Sequence, residues 1–375
     1  MSTSTRLVRR GPVVAAVVAL LWGAGLGAAQ SPPPAAGTVS PAEAAVLARI
    51  AGAARERMAS PGLSVAIARN GQVAWAAGFG QADVENDVPV RPESVFRIAS
   101  ISKPMAAVAV MQLVERGRVV LDDPIQKYVP AYPSKGEQVV TVRHLLTHTS
   151  GIRHYRPGEM ESRESYATLA AAIAIFKDDP LLFAPGTRYL YSTYGYNLLA
   201  GVVERAAGLS FGEYLRTRIW EPAGMRATSL EQPHEIVPRR VRQYVRGGGT
   251  PPLRNAPYAD LSIKWAGGGI IASAVDLARF DIALTDGRLL RPETIAEMHA
   301  PMRLANGTLT GYGLGWMVFR DEQGRDWVAH SGGATGGTTY LLRDPARRLS
   351  VALLTNVGNA GNLRDLALEL ARAVK

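Results

Sequence analysis

Ser100-Ile101-Ser102-Lys103 is the one Ser-x-x-Lys run in the chain. A serine hydroxyl becomes a nucleophile when a neighbouring base takes its proton, and a deprotonated lysine can be that base. On a helix, positions i and i+3 share a face, so the spacing brings Lys103 within reach of Ser100 Oγ. The run falls where a strand, Ser94 to Ile98, is predicted to end and a helix, Ser100 to about Glu115, to begin. A helix N-terminus supplies free N–H groups and a positive dipole end, which favour an anionic transition state and a deprotonated neighbour. Pro104 fits the first turn, where no N–H is lost. By itself the tetrapeptide reads equally well as an N-cap serine followed by an exposed lysine.

Two further clusters could complete such a site. Tyr191-Ser192-Thr193 precedes a helix predicted over Leu198 to Ala207, and a tyrosine there could share a proton with Lys103 and protonate a leaving group. Against this stands the number of tyrosines, 13, with Tyr189, Tyr194 and Tyr196 close by. His330-Ser331-Gly332-Gly333 lies between β-like runs, where glycines let a substrate approach strand backbone. The Gly333 N–H could pair with the Ser100 N–H as an oxyanion hole. The plainer alternative is a Gly-rich turn with a surface histidine. His144 and His148 have the i, i+4 spacing of a helical zinc pair, but Leu145 stands where that motif needs its glutamate. No third ligand is evident beyond an unsupported His154, so no metal is expected.

The elements that must position these residues come from both ends of the chain. Ser40-Pro41-Ala42-Glu43 has capping-box spacing with proline at N1, so a helix should run from there to about Met58. Leu63 to Ile67 and Val73 to Ala77 flank Asn70-Gly71, a strong hairpin signal. The middle, Leu121 to Met302, alternates Pro/Gly loops with helices such as Ala274 to Leu284. Strands return at Gly313 to Phe319, Trp327 to Ala329, Thr338 to Leu342 and Ser350 to Thr355, before an amphipathic helix over Leu363 to Ala373. The expected fold is α+β: an antiparallel sheet from both chain ends, flanked by helices, with a mostly helical middle lobe.

Composition narrows the chemistry. The 375 residues contain no cysteine, which removes disulfides, thiol nucleophiles and Cys-ligated metals. The net charge is +10, but no basic run exceeds two adjacent arginines and no aromatic-studded basic stripe is visible, so nucleic acid is not an expected partner. Arg6, Arg9 and Arg10 precede an apolar stretch from Pro12 to Leu26 and then Gly27-Ala28-Ala29, the layout of a signal peptide over residues 1–29. A Pro-rich linker over 30–39 follows. A periplasmic or secreted location is expected, with no membrane span once the signal is removed; a retained anchor is the other reading.

With these residues in order, the chain resembles the serine β-lactamase-related hydrolases, which include class C β-lactamases, D-alanyl-D-alanine carboxypeptidases, D-aminopeptidases and some esterases. Ser100-Ile101-Ser102-Lys103, Tyr191-Ser192-Thr193 and His330-Ser331-Gly332 are similar to that family's three motifs, and the flanking Leu145-Leu146-Thr147-His148-Thr149-Ser150-Gly151 resembles its wording. Gly62 to Tyr155 is especially similar to the mitochondrial serine β-lactamase-like branch. The resemblance implies a β-lactamase/transpeptidase-like fold over 40–375, with an α/β lobe at about 40–99 and 310–375 and a helical lobe at about 100–309. It implies Ser100 as acylated nucleophile, Lys103 as its base and Tyr191 as second acid/base. Ser100 and Gly333 N–H groups would form the oxyanion hole, with His330, Ser331, Gly332 and Thr193 binding substrate and no cofactor. Two departures stand out. Thr193 replaces a frequent asparagine and offers one hydroxyl in place of an amide, and His330 replaces a frequent lysine. These weaken the expectation of a true β-lactamase or D-Ala-D-Ala carboxypeptidase and favour peptide, amide or ester substrates, cell-wall-derived peptides among them. A non-catalytic binding or assembly protein on the same fold is the alternative of another class.

Overall fold

The computed structural model describes residues 1–2, 39–247 and 253–374. The chain divides into Met1–Pro33 and Pro34–Lys375, and the sheet, the core and the Ser100 region all belong to the second unit. The expected signal peptide and linker lie almost wholly outside the described residues. Among the described residues, no helix is long and apolar enough to cross a membrane.

Seven strands form one antiparallel sheet: β1 (Gly62–Arg69), β2 (Gln72–Asp83), β3 (Val88–Pro89), β4 (Met317–Arg320), β5 (Asp326–Ala334), β6 (Gly337–Asp344) and β7 (Leu349–Thr355). Their spatial order is β3-β2-β1-β7-β6-β5-β4, so the N-terminal hairpin joins the C-terminal strands through β1 and β7. Asn70 and Gly71 both have positive φ, 50° and 81°, as a two-residue hairpin turn requires. The sheet is buried on both faces, which explains why β1 reads as a continuous apolar run. Leu63, Val65 and Ile67 point with Val351 and Leu353 towards α1 (Pro41–Arg57) and the C-terminal helix Leu363–Ala373. Ala66, Ala68, Ala352 and Leu354 point the other way, into the larger core. Each such Leu, Ile or Val contributes about 1.5–3 kcal/mol by leaving water. The Ser40/Glu43 capping box and Pro41 start α1 as predicted.

Part of the middle of the chain packs on the sheet itself. Helix Ala274–Thr285, capped by Ser273, packs on the sheet against β1, β2 and β7. The expected strand Ser94 to Ile98 shortens to Phe96–Arg97, which pairs with Ile270–Ala272 in a separate three-stranded sheet. It ends because Ile98 already takes helical backbone, φ −85° and ψ −6°, and Ala99 then takes φ +50°. The expected strand from Gly313 starts only at Met317, because Gly315 has φ +86° where an added Cβ would lie 2.4 Å from Ala107 Cβ.

Candidate active site

α2 (Ser102–Glu115) does not begin at Ser100. A 3-10 turn, Ala99–Ile101, precedes it, and Ser100 sits in the middle of that turn. Ala99 is a non-glycine residue in left-handed backbone, a conformation costing on the order of 1–3 kcal/mol and found where a structure over-determines a site. The over-determination comes from β5. An added Cβ on Gly332 would lie 2.1 Å from Thr339 Oγ1, 2.5 Å from the Ile98 carbonyl and 3.2 Å from Ala99 Cβ. Strand and turn are therefore in direct contact, and Thr339 Oγ1 donates to Ile98 O at 2.9 Å.

Lys103 is fully buried on the first turn of α2. Its Nζ lies 3.0 Å from Ser100 Oγ, 3.2 Å from Thr193 Oγ1 and 2.6 Å from the Gly267 carbonyl. Burial, aided by the nearby Lys264 charge, holds its pKa well below that of an ordinary lysine. A neutral amine has two hydrogens and one lone pair. The Gly267 carbonyl can only accept, so it takes one hydrogen; Thr193 Oγ1 takes the other; the lone pair is left for the Ser100 hydroxyl. The Tyr191 ring lies 4.7 Å from Nζ. Burial pushes the Tyr191 phenol up, only partly offset by a hydrogen bond with Ser100, so it stays protonated at neutral pH.

Tyr191 lies just ahead of α3 (Thr193–Ala207), which begins earlier than the predicted Leu198. Ser192 is the N-cap: its Oγ accepts from Gly195 N–H at 3.3 Å and donates to Arg153 O at 2.7 Å. Two histidines hold the same corner. Ser192 N–H donates to His148 Nδ1 and Thr193 N–H to His154 Nδ1, each at 3.2 Å. His148 lies among Tyr191, Tyr196 and Tyr312, with ring centroids at 4.2, 5.2 and 4.7 Å. Its helix ends at Leu146, and His144 Nδ1 is engaged with Thr141 N–H. The i, i+4 spacing therefore serves backbone anchoring at two separate places.

His330 lines the cleft, as expected, but not as the surface histidine of a Gly-rich turn. It lies inside β5, not in a turn, and its ring is buried. Nδ1 meets the Ser331 carbonyl at 2.7 Å, which fixes the proton on Nδ1; Nε2 then accepts from Tyr312 OH at 2.8 Å. Burial first, then the Lys103 charge, lowers its pKa to about 3. With both nitrogens committed and the ring neutral, His330 is no anchor for a substrate carboxylate. Thr193 is also reassigned: it is buried against Lys103 and does not line the cleft. Gly332 likewise faces the nucleophile turn and not the substrate space. Ser331 and Gly333 do line the cleft, and an added Cβ on Gly333 would meet nothing within 4 Å.

The cleft has a volume of about 430 Å³ and is walled by Ser100, Tyr189, Tyr191, Gly311, Tyr312, Met317, His330, Ser331 and Gly333. No formally charged side chain is among them at neutral pH. β4 pairs with β5 only through Asp326 to Ala329, so His330 to Ala334 presents an unpaired strand edge on that side. The roles of Tyr189, Tyr312, His148, His154 and Gly267 are not evident from sequence, since all act across long sequence separations. The one signal for Gly267 is the run Gly267-Gly268-Gly269 directly after Lys264-Trp265-Ala266.

The buried histidines set an acid limit on stability. Burial lowers the pKa of His154 to about 4 and of His299 and His330 to about 3, from 6.5. Between about pH 6.5 and those values the unfolded chain binds protons that the folded chain refuses, so the histidine contribution to stability falls as pH falls through this window. Each histidine contributes up to about 1.4 kcal/mol per pH unit there. Thermal melts from pH 8 to 4 should show a melting temperature that falls more steeply below about pH 6.5 than above it, where the lowered Lys103 and Lys264 pKa values already give a shallower fall in the same direction. A flat profile down to pH 4 would contradict the neutral assignments.

A seven-stranded antiparallel sheet with a Ser–Lys–Tyr cluster at the head of a buried helix defines a serine hydrolase of the β-lactamase/transpeptidase-like fold. Residues 50–374 match the Beta-lactamase family, and the chain belongs to it. It is 31% identical to the human mitochondrial serine beta-lactamase-like protein LACTB, over 84% of this chain and 77% of that one. It is 31% identical to Esterase EstB of Burkholderia gladioli, over 86% and 92%. Among solved structures it is similar to the D-amino acid amidase of Ochrobactrum anthropi SV3 in complex with D-phenylalanine, with a TM-score of 0.75 and 26% identity over 88% and 99%.

Proposed function

We propose that the chain hydrolyses uncharged ester or amide bonds through an acyl-enzyme on Ser100. The observation that carries this is the buried Lys103 Nζ, 3.0 Å from Ser100 Oγ with its pKa held down. As Ser100 Oγ attacks the carbonyl carbon, its proton passes to Lys103, and the carbonyl oxygen becomes an oxyanion received by the Ser100 and Gly333 N–H groups. The Tyr191 phenol, protonated and bonded to Ser100, protonates the leaving alkoxide or amine and takes back a proton from Lys103. Water then repeats the sequence on the acyl-enzyme, with Tyr191 and Lys103 as base. The open edge of β5 at Ser331 and Gly333 supports an extended acyl chain laid beside it. The neutral His330–Tyr312 pair and the tyrosine-rich wall favour an apolar or aromatic, uncharged substrate over one ending in a carboxylate. The names of relatives, an esterase and a D-amino acid amidase, support the same substrate classes. The Arg-led apolar N-terminus supports a periplasmic or secreted site of action.

Intact mass after incubation with a fluorophosphonate, an aryl ester and a penicillin tests this. A single adduct is expected from the fluorophosphonate and ester on the wild type and none on Ser100→Ala, with penicillin much slower. No adduct with any probe would favour the non-catalytic alternative.

A further inference from the structure

A second buried lysine, Lys264, stands at the head of the short segment whose Gly267 carbonyl holds Lys103. Lys264 is 3% exposed, yet among the described residues its Nζ makes one hydrogen bond, to the Met160 carbonyl at 3.2 Å, and otherwise lies 5.6 Å from the Tyr155 ring centroid. No ion pair joins it to a carboxylate among the described residues. Its stem runs under Gly268, where an added Cβ would lie 3.1 Å from Lys264 Cδ and 3.7 Å from the Ala99 carbonyl carbon, so Gly268 packs against both the Lys264 stem and the nucleophile turn. The short helix it precedes, Trp265–Gly268, also carries the Gly267 carbonyl that holds Lys103 Nζ at 2.6 Å. One turn of chain therefore accepts a hydrogen bond from the base and carries a second buried lysine at its head.

We propose that Lys264 is an electrostatic positioning residue: its buried ammonium opposes a positive charge on Lys103 and so keeps that amine ready to take the Ser100 proton. The inference rests on the hydrolase reading above. The groups facing Lys103 leave Lys264 as the source of the field. Tyr191 and Tyr196 present neutral rings, one just ahead of α3 and one within it. His148 and His154 from the loop after Leu146, and His330 from β5, have pKa values lowered by burial and are neutral near pH 7. Facing Lys264 are Arg97, which is paired with Glu231 at 2.8 Å, and Glu161 and Tyr155. Burial and the Arg97 charge lower the Lys264 pKa to about 8, which leaves it mostly protonated at neutral pH. A lysine amine kept unprotonated by burial and a neighbouring cation is an established way to activate that group.

The test is the pH dependence of fluorophosphonate labelling of full-length protein, read as a pseudo-first-order rate constant, which does not depend on how much of a variant folds. Protonation of Lys103 removes the base, so the rate falls as pH drops through its pKa. Removing the Lys264 charge lets Lys103 hold its proton to higher pH, so the acid limb moves up. Lys264→Met is expected to raise that limb by on the order of one pH unit, with about a tenfold slower rate below it and convergence on the wild-type rate above it. Lys264→Gln, which keeps a donor for the Met160 carbonyl, should show the same shift, while Lys264→Arg, which keeps the charge, should leave the limb near its wild-type position. An unmoved limb in both neutral variants, or an equal shift in the arginine variant, overturns the inference. A wild type that takes no label overturns the hydrolase reading and this inference with it.

Discussion

Lys103→Arg should slow acylation of Ser100 by at least ~10³-fold while leaving a folded protein. Arginine keeps the positive charge and the donors, so a role in charge alone would survive the change. It cannot give up its proton near neutral pH, so a role as base does not. The site gives a further reason. Lys103 is fully buried and its polar contacts are two hydroxyls and one carbonyl, with no carboxylate to pair a guanidinium. Destabilisation is therefore expected as well, and rate constants for fluorophosphonate labelling must be read beside thermal melts. Lys103→Met, which removes charge and base together without adding a buried ion, separates the two effects. Near-wild-type labelling in either variant would remove Lys103 from the mechanism.

Gly332→Ala should be nearly as damaging, although Gly332 does not line the cleft. The added methyl meets a backbone carbonyl at 2.5 Å and the Thr339 hydroxyl at 2.1 Å, with the Ala99 side chain at 3.2 Å. Neither the strand nor the turn can yield cheaply, because one belongs to the sheet and the other is held in left-handed backbone. Overpacking of this kind costs about 1–3 kcal/mol. The relief route is to push the Ala99–Ile101 turn away from β5, which separates Ser100 from Gly333. A misplacement of about 1 Å can cost on the order of 10²-fold in rate. If kcat for an aryl ester is unchanged in the Gly332 variant, the turn is not held by the strand.

Local spacing makes much of this legible. Ser100 and Lys103 lie three residues apart, the Ser40 capping box and the Asn70-Gly71 turn carry their own geometry, and all behave as their residue types dictate. The illegible part depends on partners far away in the chain. An alanine in left-handed backbone has no signature, so the 3-10 turn at Ala99 is invisible in the sequence and the helix is predicted two residues early. His330 and Thr193 do lie beside the nucleophile and its base, but their contacts differ from those expected. Their actual partners, Tyr312 and Lys103, lie 18 and 90 residues away in sequence. The Gly267 carbonyl, 164 residues from Lys103, is backbone, and its one mark in the sequence is the glycine run it begins.

The junction of β1 with β7 bears on how the molecule is made. Leu63 pairs with Thr355, and Gly62 N–H donates to Asn356 Oδ1 across 294 residues. β2, β1 and the Asn356 contact flank one side of that seam, while β6 and β5 reach the nucleophile turn from the other. During synthesis the nucleophile turn emerges long before the strand it must rest against. A ribosome-bound chain therefore holds Ser100 and Lys103 without the surface that organises them, and closure waits for the final strand. Contacts of such range make folding slow and late, and leave the chain uncommitted for a long interval. That interval delays hydrolytic competence until the last strand of the sheet has been made.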